Sequence, residues 1–302
     1  MARVLITGAN GHLGRRLISA LPQSDDVMAL VRSERARRVL LQHVNDRRPL
    51  TVTIADPADP LAVAAAASGC ERVVHLIGTI KQTRHNRFID AHERPAEALA
   101  AAVATGTVKH IVTVSILGAA TTSSSECLRS RARTENILLA GPVPVSVIRV
   151  PMVLGEGDRA SGALSKRARA KRATVFRAAS LEQPIYAGDV VTAIDHALRF
   201  DAPQNQVFDL AGPQSLSRRE LIERAAALLQ REPAVRSLPL GVGLALAGFF
   251  ELVLSNPPIT RDMLKVLDHD DAIDPTAAAV ALGITLTSLD EMLKRCVSAR
   301  HT

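Results

Sequence analysis

The sequence predicts an α/β protein: a doubly wound parallel sheet with a small, mostly helical C-terminal lobe. Three observations lead there. Short runs that are apolar on both faces recur through the first half of the 302-residue chain, as strands of a buried parallel sheet do. Ala-rich stretches with helical spacing, such as Arg94–Thr105, separate those runs, and right-handed crossovers place such helices on both faces of the sheet. A turn carrying Gly8, Gly11 and Gly14 follows the first run directly and opens a helix.

The elements follow in order. Arg3–Thr7 (RVLIT) is the first strand and Val27–Val31 (VMALV) the second. Leu50–Ile54 (LTVTI), Arg72–Ile77 (RVVHLI), His110–Val114 (HIVTV) and Val145–Val150 (VSVIRV) continue the series. After Asp158 the pattern changes. Ser161–Arg177 is basic and helix-like, Pro184–Gly188 leads to Asp189 and an apolar helix, and Gln206–Leu210 (QVFDL) adds one more strand to the main sheet. From Ser215 onward the pattern is mostly helical, and Ser217 with Glu220 three residues on forms a capping box. No repeat or low-complexity linker interrupts the chain. Residues 1–158 are therefore expected to form a dinucleotide-binding domain whose sheet is completed by about 186–212, with 159–185 and 213–302 as the smaller helical lobe.

Composition narrows the function classes. Hydrophobic residues make up 47% of the chain, enough for a core without disulfide staples. With no Trp, one Tyr and six Phe, a site that stacks nucleic-acid bases on aromatic rings is not expected. The net charge of +7, from 37 basic and 30 acidic residues, suits an anionic ligand such as a phosphorylated cofactor, or simply a solvated Arg-rich surface. Cys70, Cys127 and Cys296 form no CxxC pair and no Cys/His cluster. No metal site is expected, and a reduced, cytoplasmic setting is the simplest expectation. The first apolar run is a short strand followed by glycines, unlike a signal peptide. Leu238–Leu254 is apolar except for Glu251. It is too short for a span of about 20 residues, so a buried or amphipathic helix is favoured over peripheral membrane contact.

The segment Thr7-Gly8-Ala9-Asn10-Gly11-His12-Leu13-Gly14 has the spacing GxxGxxG. Gly8 permits the sharp exit from the strand, Gly11 lets backbone approach a pyrophosphate, and Gly14 lets the helix pack closely. The helix N-terminus offers N–H groups and a partial positive charge to the phosphates. The second strand ends at Arg32 rather than at the acidic residue that reads an NAD ribose. An Arg there suits a 2′-phosphate, so NADP(H) is the preferred cofactor and NAD(H) remains compatible; an Arg32 that simply points into solvent is the plain alternative. Arg15 and Arg16 add positive charge beside the turn. Asp56, after the third strand, suits an adenine amino group or, equally, a turn before Pro57.

These residues resemble the extended and atypical short-chain dehydrogenase/reductase superfamily of Rossmann proteins. TGANGHLG is similar to its glycine signature. Val74-His75-Leu76-Ile77-Gly78 is similar to the fourth-strand motif beside the cofactor. Val112–Gly118 is similar to the fifth-strand motif, whose active-site serine would be Ser115. Arg149-Val150-Pro151, with Gly155–Asp158, resembles the segment closing the nicotinamide pocket, and Gly188–Val191 the later Asp-Val motif. The likeness is strongest to the branch holding NmrA-like proteins and the nucleotide-binding accessory subunit of respiratory complex I. It implies cofactor contacts from Gly8, Asn10, Gly11, His12, Leu13, Gly14, Arg32, Asp56, Ile77, Gly78, Arg131 and Pro151.

The family's proton relay is Tyr-x-x-x-Lys, two side chains one helical turn apart. The single tyrosine here is Tyr186, and Val190 stands four residues later. The matching segment is instead Cys127-Leu128-Arg129-Ser130-Arg131, with Cys127 at the tyrosine position and Arg131 at the lysine position. Arg131 suits ribose or phosphate but cannot exchange a proton near neutral pH. Cys127 as a proton donor competes with Cys127 as a packed thiol. The resemblance therefore implies a cofactor-binding protein with weak or no dehydrogenase activity, in a structural, sensory or assembly role. The alternative is an active reductase, isomerase or epimerase with Ser115, Cys127 or water as the proton donor.

His12, His75 and His92 lie toward the expected cofactor side, with turn bonding or core packing as their plain reading. Ser123–Ser125 reads as a loop before Cys127. Arg159–Arg177 holds seven basic residues and no acidic one. It is a solvated basic helix or a surface for an anionic small molecule or an acidic protein partner. Nucleic acid is not expected as a partner.

Overall fold

The computed structural model describes residues 3–44, 49–83, 86–200, 204–266 and 268–298. In chain order the elements are β1 (Arg3–Thr7), α1 (His12–Ala20), β2 (Asp26–Val31), α2 (Glu34–Leu41), β3 (Leu50–Ile54), α3 (Pro60–Ala67), β4 (Arg72–His75), α4 (Arg94–Val103), β5 (His110–Ile116), α5 (Glu126–Leu139), β6 (Val145–Val150), β7 (Val153–Leu154), α6 (Arg159–Arg169), β8 (Arg172–Phe176), β9 (Leu181–Glu182), β10 (Ile185–Tyr186), α7 (Ala187–Arg199), β11 (Gln206–Asp209), β12 (Leu216–Ser217), α8 (Arg218–Ala227), β13 (Ala234–Leu238), α9 (Leu240–Val253), α10 (Arg261–Val266), α11 (Thr276–Ala281) and α12 (Leu289–Ser298). One turn of π-helix, Ile89–Glu93, runs into α4.

The chain divides into two compact units, residues 1–149 with 191–208, and residues 150–190 with 209–302. The first holds the main sheet, with strand order β11-β6-β5-β4-β1-β2-β3. β1 pairs in parallel with β2 and β4, and the order reverses after β1. That reversal makes the switch point at which a Rossmann fold receives a dinucleotide. Leu5, Val73, Ile111 and Val147 from neighbouring strands pack with Leu99 and Leu138 from the helices into one core. β4 stops at His75, two residues short of the expected strand end, where the Leu76–Ile77 backbone passes against Gly8.

The second unit has its own core, in which Leu164, Leu221, Met292 and Leu293 meet. Two corrections to the sequence reading belong here. The basic helix expected over Ser161–Arg177 ends at Arg169, and Arg172–Phe176 becomes β8. β8 pairs in parallel with β13, which interrupts the expected helical run after Ser215. The exposed–buried alternation of Arg172, Ala173, Thr174 and Val175 is the period-two pattern of a half-covered strand. The basic side chains of the segment had hidden that alternation. The capping box forms: Ser217 Oγ accepts from the Glu220 backbone N–H at 3.1 Å, and the Glu220 carboxylate accepts from the Ser217 backbone N–H at 2.8 Å.

The apolar stretch at Leu238–Leu254 forms α9, but the helix is not buried. Only Gly243 and Ala247 are fully covered, and Val242, Leu246, Phe249, Leu252 and Val253 are exposed. No helix among the described residues is long and apolar enough to cross a membrane.

Candidate functional site

The first unit presents the glycine turn at the C-terminal end of β1. Gly8 sits at φ +72°, and a Cβ there would lie 2.8 Å from the Leu76 carbonyl carbon. Both the left-handed backbone and the close approach exclude other residues. Gly14 is buried, and a Cβ on it would fall 2.7 Å from the carbonyl oxygens of Gly8 and Ala9. Gly14 therefore seats α1 on the turn itself. Gly11 is the N-cap of α1, with extended backbone and no side-chain cap, and the first turn of the helix carries no acidic residue. Asn10 is half-buried, His12 is exposed and Leu13 is half-buried at this end. Arg15 and Arg16 follow; burial and the neighbouring Arg16 charge lower the Arg15 pKa. An N-terminus with no side-chain cap, no acidic residue in its first turn and glycine in front of it fits a pyrophosphate.

Arg32 lies just past β2, exposed, beside Ser33, which caps α2 by accepting from the Ala36 N–H at 3.2 Å. Glu34 pairs with Arg37 instead, so Arg32 has no carboxylate partner among the described residues. Arg35 is a second exposed cation here that sequence reasoning missed. The repeated Arg in RSERAR was its signal. Asp56 is exposed, and its Oδ1 accepts from the Ala58 N–H at 2.9 Å, so its carboxylate shapes the turn after β3.

At the ends of β4 and β5 the polar groups are enclosed. Ser115 is buried, and its Oγ has no hydrogen-bond partner among the described residues. His75 Nδ1 lies 2.9 Å from Thr7 Oγ1, while its Nε2 is enclosed without a partner among the described residues. Burial first, and the Arg131 charge second, lower the His75 pKa to about 3, so the ring is neutral.

The two positions matching the dyad lie one turn apart on α5, and both face the Ile77–Thr79 segment after β4. Arg131 Nη1 donates to the Ile77 carbonyl oxygen at 3.2 Å, and the guanidinium lies so close over Gly78 that a Cβ there would stand 1.7 Å from Nη2. Its Nε is enclosed without a partner among the described residues, and burial lowers the Arg131 pKa. The Cys127 thiol is buried and donates to the Thr79 carbonyl oxygen at 3.6 Å. His92 grips the same segment: its Nε2 accepts from the Thr79 N–H at 3.0 Å, and its Nδ1 lies 3.1 Å from Ser130 Oγ. Ser130 Oγ donates to Glu93 at 2.7 Å, and Arg133 holds Glu93 at 2.9 Å and Glu126 at 2.6 Å. Burial, with Arg131 as the next cause, lowers the His92 pKa to about 3. The reach of this clamp around Thr79 was not legible in the sequence. Its only trace is the helical spacing of Glu126, Ser130 and Arg133.

Ser125 caps α5, accepting from the Leu128 N–H, as a loop-to-helix residue does. Pro151 follows β6, half-buried, and belongs to the second unit. Among the described residues no group of three or more His, Cys, Asp or Glu is placed to hold a metal ion.

Comparison with known proteins agrees with this arrangement. A family model described as NAD(P)H-binding matches residues 8–179. NADH dehydrogenase [ubiquinone] 1 alpha subcomplex subunit 9, mitochondrial, from Arabidopsis thaliana is 27% identical over 270 residues, covering 88% of this chain and 67% of that protein. Among solved structures, MoeE5 in complex with UDP-glucuronic acid and NAD superposes with a TM-score of 0.74 at 19% identity, covering 98% of each chain. The NADPH-dependent quinone oxidoreductase QOR2 from Escherichia coli does so with a TM-score of 0.71 at 17% identity, covering 96% of this chain and 98% of that one. With a matching model over more than half its length, a switch-point glycine turn and this sheet order, the chain belongs to the NAD(P)H-binding family, on the atypical short-chain dehydrogenase/reductase branch of the Rossmann proteins.

Proposed function

We propose that this protein binds NADP(H) as a lasting part of its architecture and has little or no conventional dehydrogenase activity. One observation carries the reading. Both side chains at the relay positions are committed to backbone carbonyls of the segment after β4, Arg131 to Ile77 and Cys127 to Thr79. A relay needs a group that gains and loses a proton beside the reacting oxygen. A guanidinium does not do so near neutral pH, and a buried thiol donating to a carbonyl is turned away from such a role. The cofactor, when bound, would supply hydride chemistry. In this chain the glycine turn would hold its pyrophosphate, Arg32 its 2′-phosphate, and the Ile77–Gly78 edge with Arg131 its nicotinamide ribose. The likeness to a named subunit of NADH dehydrogenase favours a structural or assembly role beside a protein partner.

The test joins two measurements on one preparation. Calorimetry should show tight NADPH binding, and a panel of carbonyl compounds should show no NADPH oxidation above background. Robust turnover of any member of the panel would overturn the reading.

A second reading rests on Ser115, whose buried hydroxyl has no partner and would suit a substrate oxygen. On that reading the protein is a slow NADPH-dependent reductase or epimerase, and Ser115→Ala removes its activity. Activity that survives Ser115→Ala and Cys127→Ala together excludes it.

A further inference from the structure

α9 is amphipathic the wrong way round. At about 100° per residue, Leu240, Gly243, Leu244, Ala247, Gly248, Phe250 and Glu251 share the covered or half-covered side. The opposite arc is Gly241, Val242, Ala245, Leu246, Phe249, Leu252 and Val253, exposed throughout and wholly apolar. Phe249 is 60% exposed and Leu252 76%. Of thirteen exposed large hydrophobic residues among those described, six fall between Val242 and Leu254. A helix facing water places its charge outward and its bulk inward. Here the one charge, Glu251, lies on the covered side. It is neutralised there by Arg261, whose backbone N–H and Nε both donate to the carboxylate at 2.7 Å. The packed side is glycine and alanine, with Gly243 pressed against the Phe176 ring.

Beside α9 the outer face of the β8–β13 ribbon carries arginine. Phe176 shares the outer face of the β8–β13 ribbon with Arg172 and Thr174, because Ala173 and Val175 point to the core. Arg236, opposite Thr174 in register, is exposed on β13. α9 therefore packs on one end of a ribbon face whose remainder carries Arg172 and Arg236, neither in an ion pair among the described residues. Chain connectivity reinforces the link, since β13 enters α9 through Leu238 and Pro239.

From this we infer that α9 lies in the plane of an anionic lipid surface, its Val242–Leu246–Phe249–Val253 face among the acyl chains and Arg172 and Arg236 on the headgroups. The helix is about 21 Å long, too short for a hydrocarbon core of about 30 Å, so it can lie in the interface but cannot cross. The exposed arc is aliphatic with a single Phe and offers no hydrogen-bonding side chain. Protein interfaces are richer in Tyr, Trp and Arg at their centres, whereas an apolar strip beside unpaired arginines matches the chemistry of an acidic bilayer surface.

The experiment is flotation of the full chain with two kinds of vesicle, phosphatidylcholine alone and phosphatidylcholine mixed with phosphatidylglycerol. The protein should float with the mixed vesicles and release as salt rises. Leu246→Asp with Phe249→Asp should weaken that binding tenfold or more, and Leu246→Ser with Phe249→Ser should weaken it in the same direction. Arg172→Glu with Arg236→Glu should cost roughly tenfold or more on mixed vesicles, at about 1 kcal/mol per charge near the surface, and little on phosphatidylcholine. All variants should match the parent in circular dichroism and thermal unfolding, which certifies their fold. Failure of the parent to float with mixed vesicles would overturn the inference. So would undiminished flotation of both apolar-to-polar pairs. Self-association that Phe249→Asp abolishes, in a protein that ignores vesicles, would assign the face to a second copy and overturn it equally.

Discussion

Gly8 and Gly11 lie three residues apart in one turn, yet their substitutions should fail in different ways. Gly8 has φ +72°, and a Cβ on it would stand 2.8 Å from the Leu76 carbonyl carbon and 3.0 Å from the Ile77 nitrogen. Left-handed backbone costs an L-residue about 1–2 kcal/mol, and forcing a methyl group against immovable backbone adds about 1–3 kcal/mol. Gly8→Ala should therefore destabilise the first unit by about 2–5 kcal/mol. At roughly 2–4 °C per kcal/mol for domains near this size, the melting temperature should fall by several degrees or more. Gly11 has φ −70° and ψ 170°, which any residue adopts, and its only near neighbour is the Gly8 carbonyl oxygen at 3.1 Å from a Cβ. Gly11→Val should stay folded with a melting temperature near that of the parent. NADPH binding should nevertheless vanish, because the side chain fills the space before the α1 N-terminus. Thermal unfolding and titration calorimetry on the two variants read both quantities. A folded Gly11→Val protein that still binds NADPH would show that the dinucleotide is not on this turn, and an undiminished Gly8→Ala melting temperature would refute the steric argument.

Arg32→Ser should narrow any preference for NADPH over NADH by roughly tenfold, the worth of one charge-assisted contact; equal affinities in the parent would show that Arg32 does not read the phosphate. Glu135 is buried with its carboxylate 2.6 Å from Arg149, so Glu135→Ala should cost about 1.5–3 kcal/mol in urea unfolding by removing that charge-assisted contact; a loss under 1 kcal/mol would mean that the contact adds little to stability. The folded pKa values of His75 and His92, both about 3 and mainly set by burial, lie below their ordinary 6.5. The unfolded chain therefore takes up protons first, and stability is full above pH 6.5 and lost as pH falls toward 3. Urea unfolding at stepped pH should show that slope, and a flat profile between pH 6.5 and 4 would contradict it. Cys127→Tyr with Arg131→Lys, which restores the family's relay by sequence, should yield at most a trace of NADPH oxidation on a carbonyl panel, because Cys127 is fully enclosed against Thr79; efficient turnover would show that the segment after β4 yields easily.

Legibility followed period and spacing. The strands and the glycine turn could be read because their signals are local: runs of apolar residues, three glycines, Ser217 with Glu220. The β8–β13 ribbon was missed because Arg172 and Thr174 on the outer face look like a continuation of the basic helix before them, and its pairing joins segments about sixty residues apart. At the candidate site, Cys127 and Arg131 were legible as positions but not as conformations. The turn at Asp56 before Pro57 could be read, but nothing in the spacing says that the Cys127 and Arg131 side chains both turn onto the Ile77–Thr79 carbonyls. Those contacts depend on where β4 stops, and the strand run RVVHLI gave no sign of stopping at His75.

The polar atoms left over in the first unit say something about what the cofactor would do there. Among the described residues, six enclosed side-chain atoms of this unit have no hydrogen-bond partner; Arg3 Nε, His110 Nδ1 and Gln206 Oε1 lie elsewhere, while Ser115 Oγ, His75 Nε2 and Arg131 Nε belong to residues at or facing the C-terminal ends of β4 and β5. Each such group costs about 1–3 kcal/mol if nothing ever meets it. A catalytic pocket tolerates that cost because a substrate meets those atoms during turnover. Under the proposed function, with a guanidinium and a buried thiol at the relay positions, a ligand that stays would offset the same cost. A dinucleotide held at a hundred times its Kd adds about 2.7 kcal/mol to the folded state, comparable to the cost of one or two of those orphan groups. Under that proposal the glycine turn would serve the fold through what it binds, and cofactor retention and fold stability would be one property.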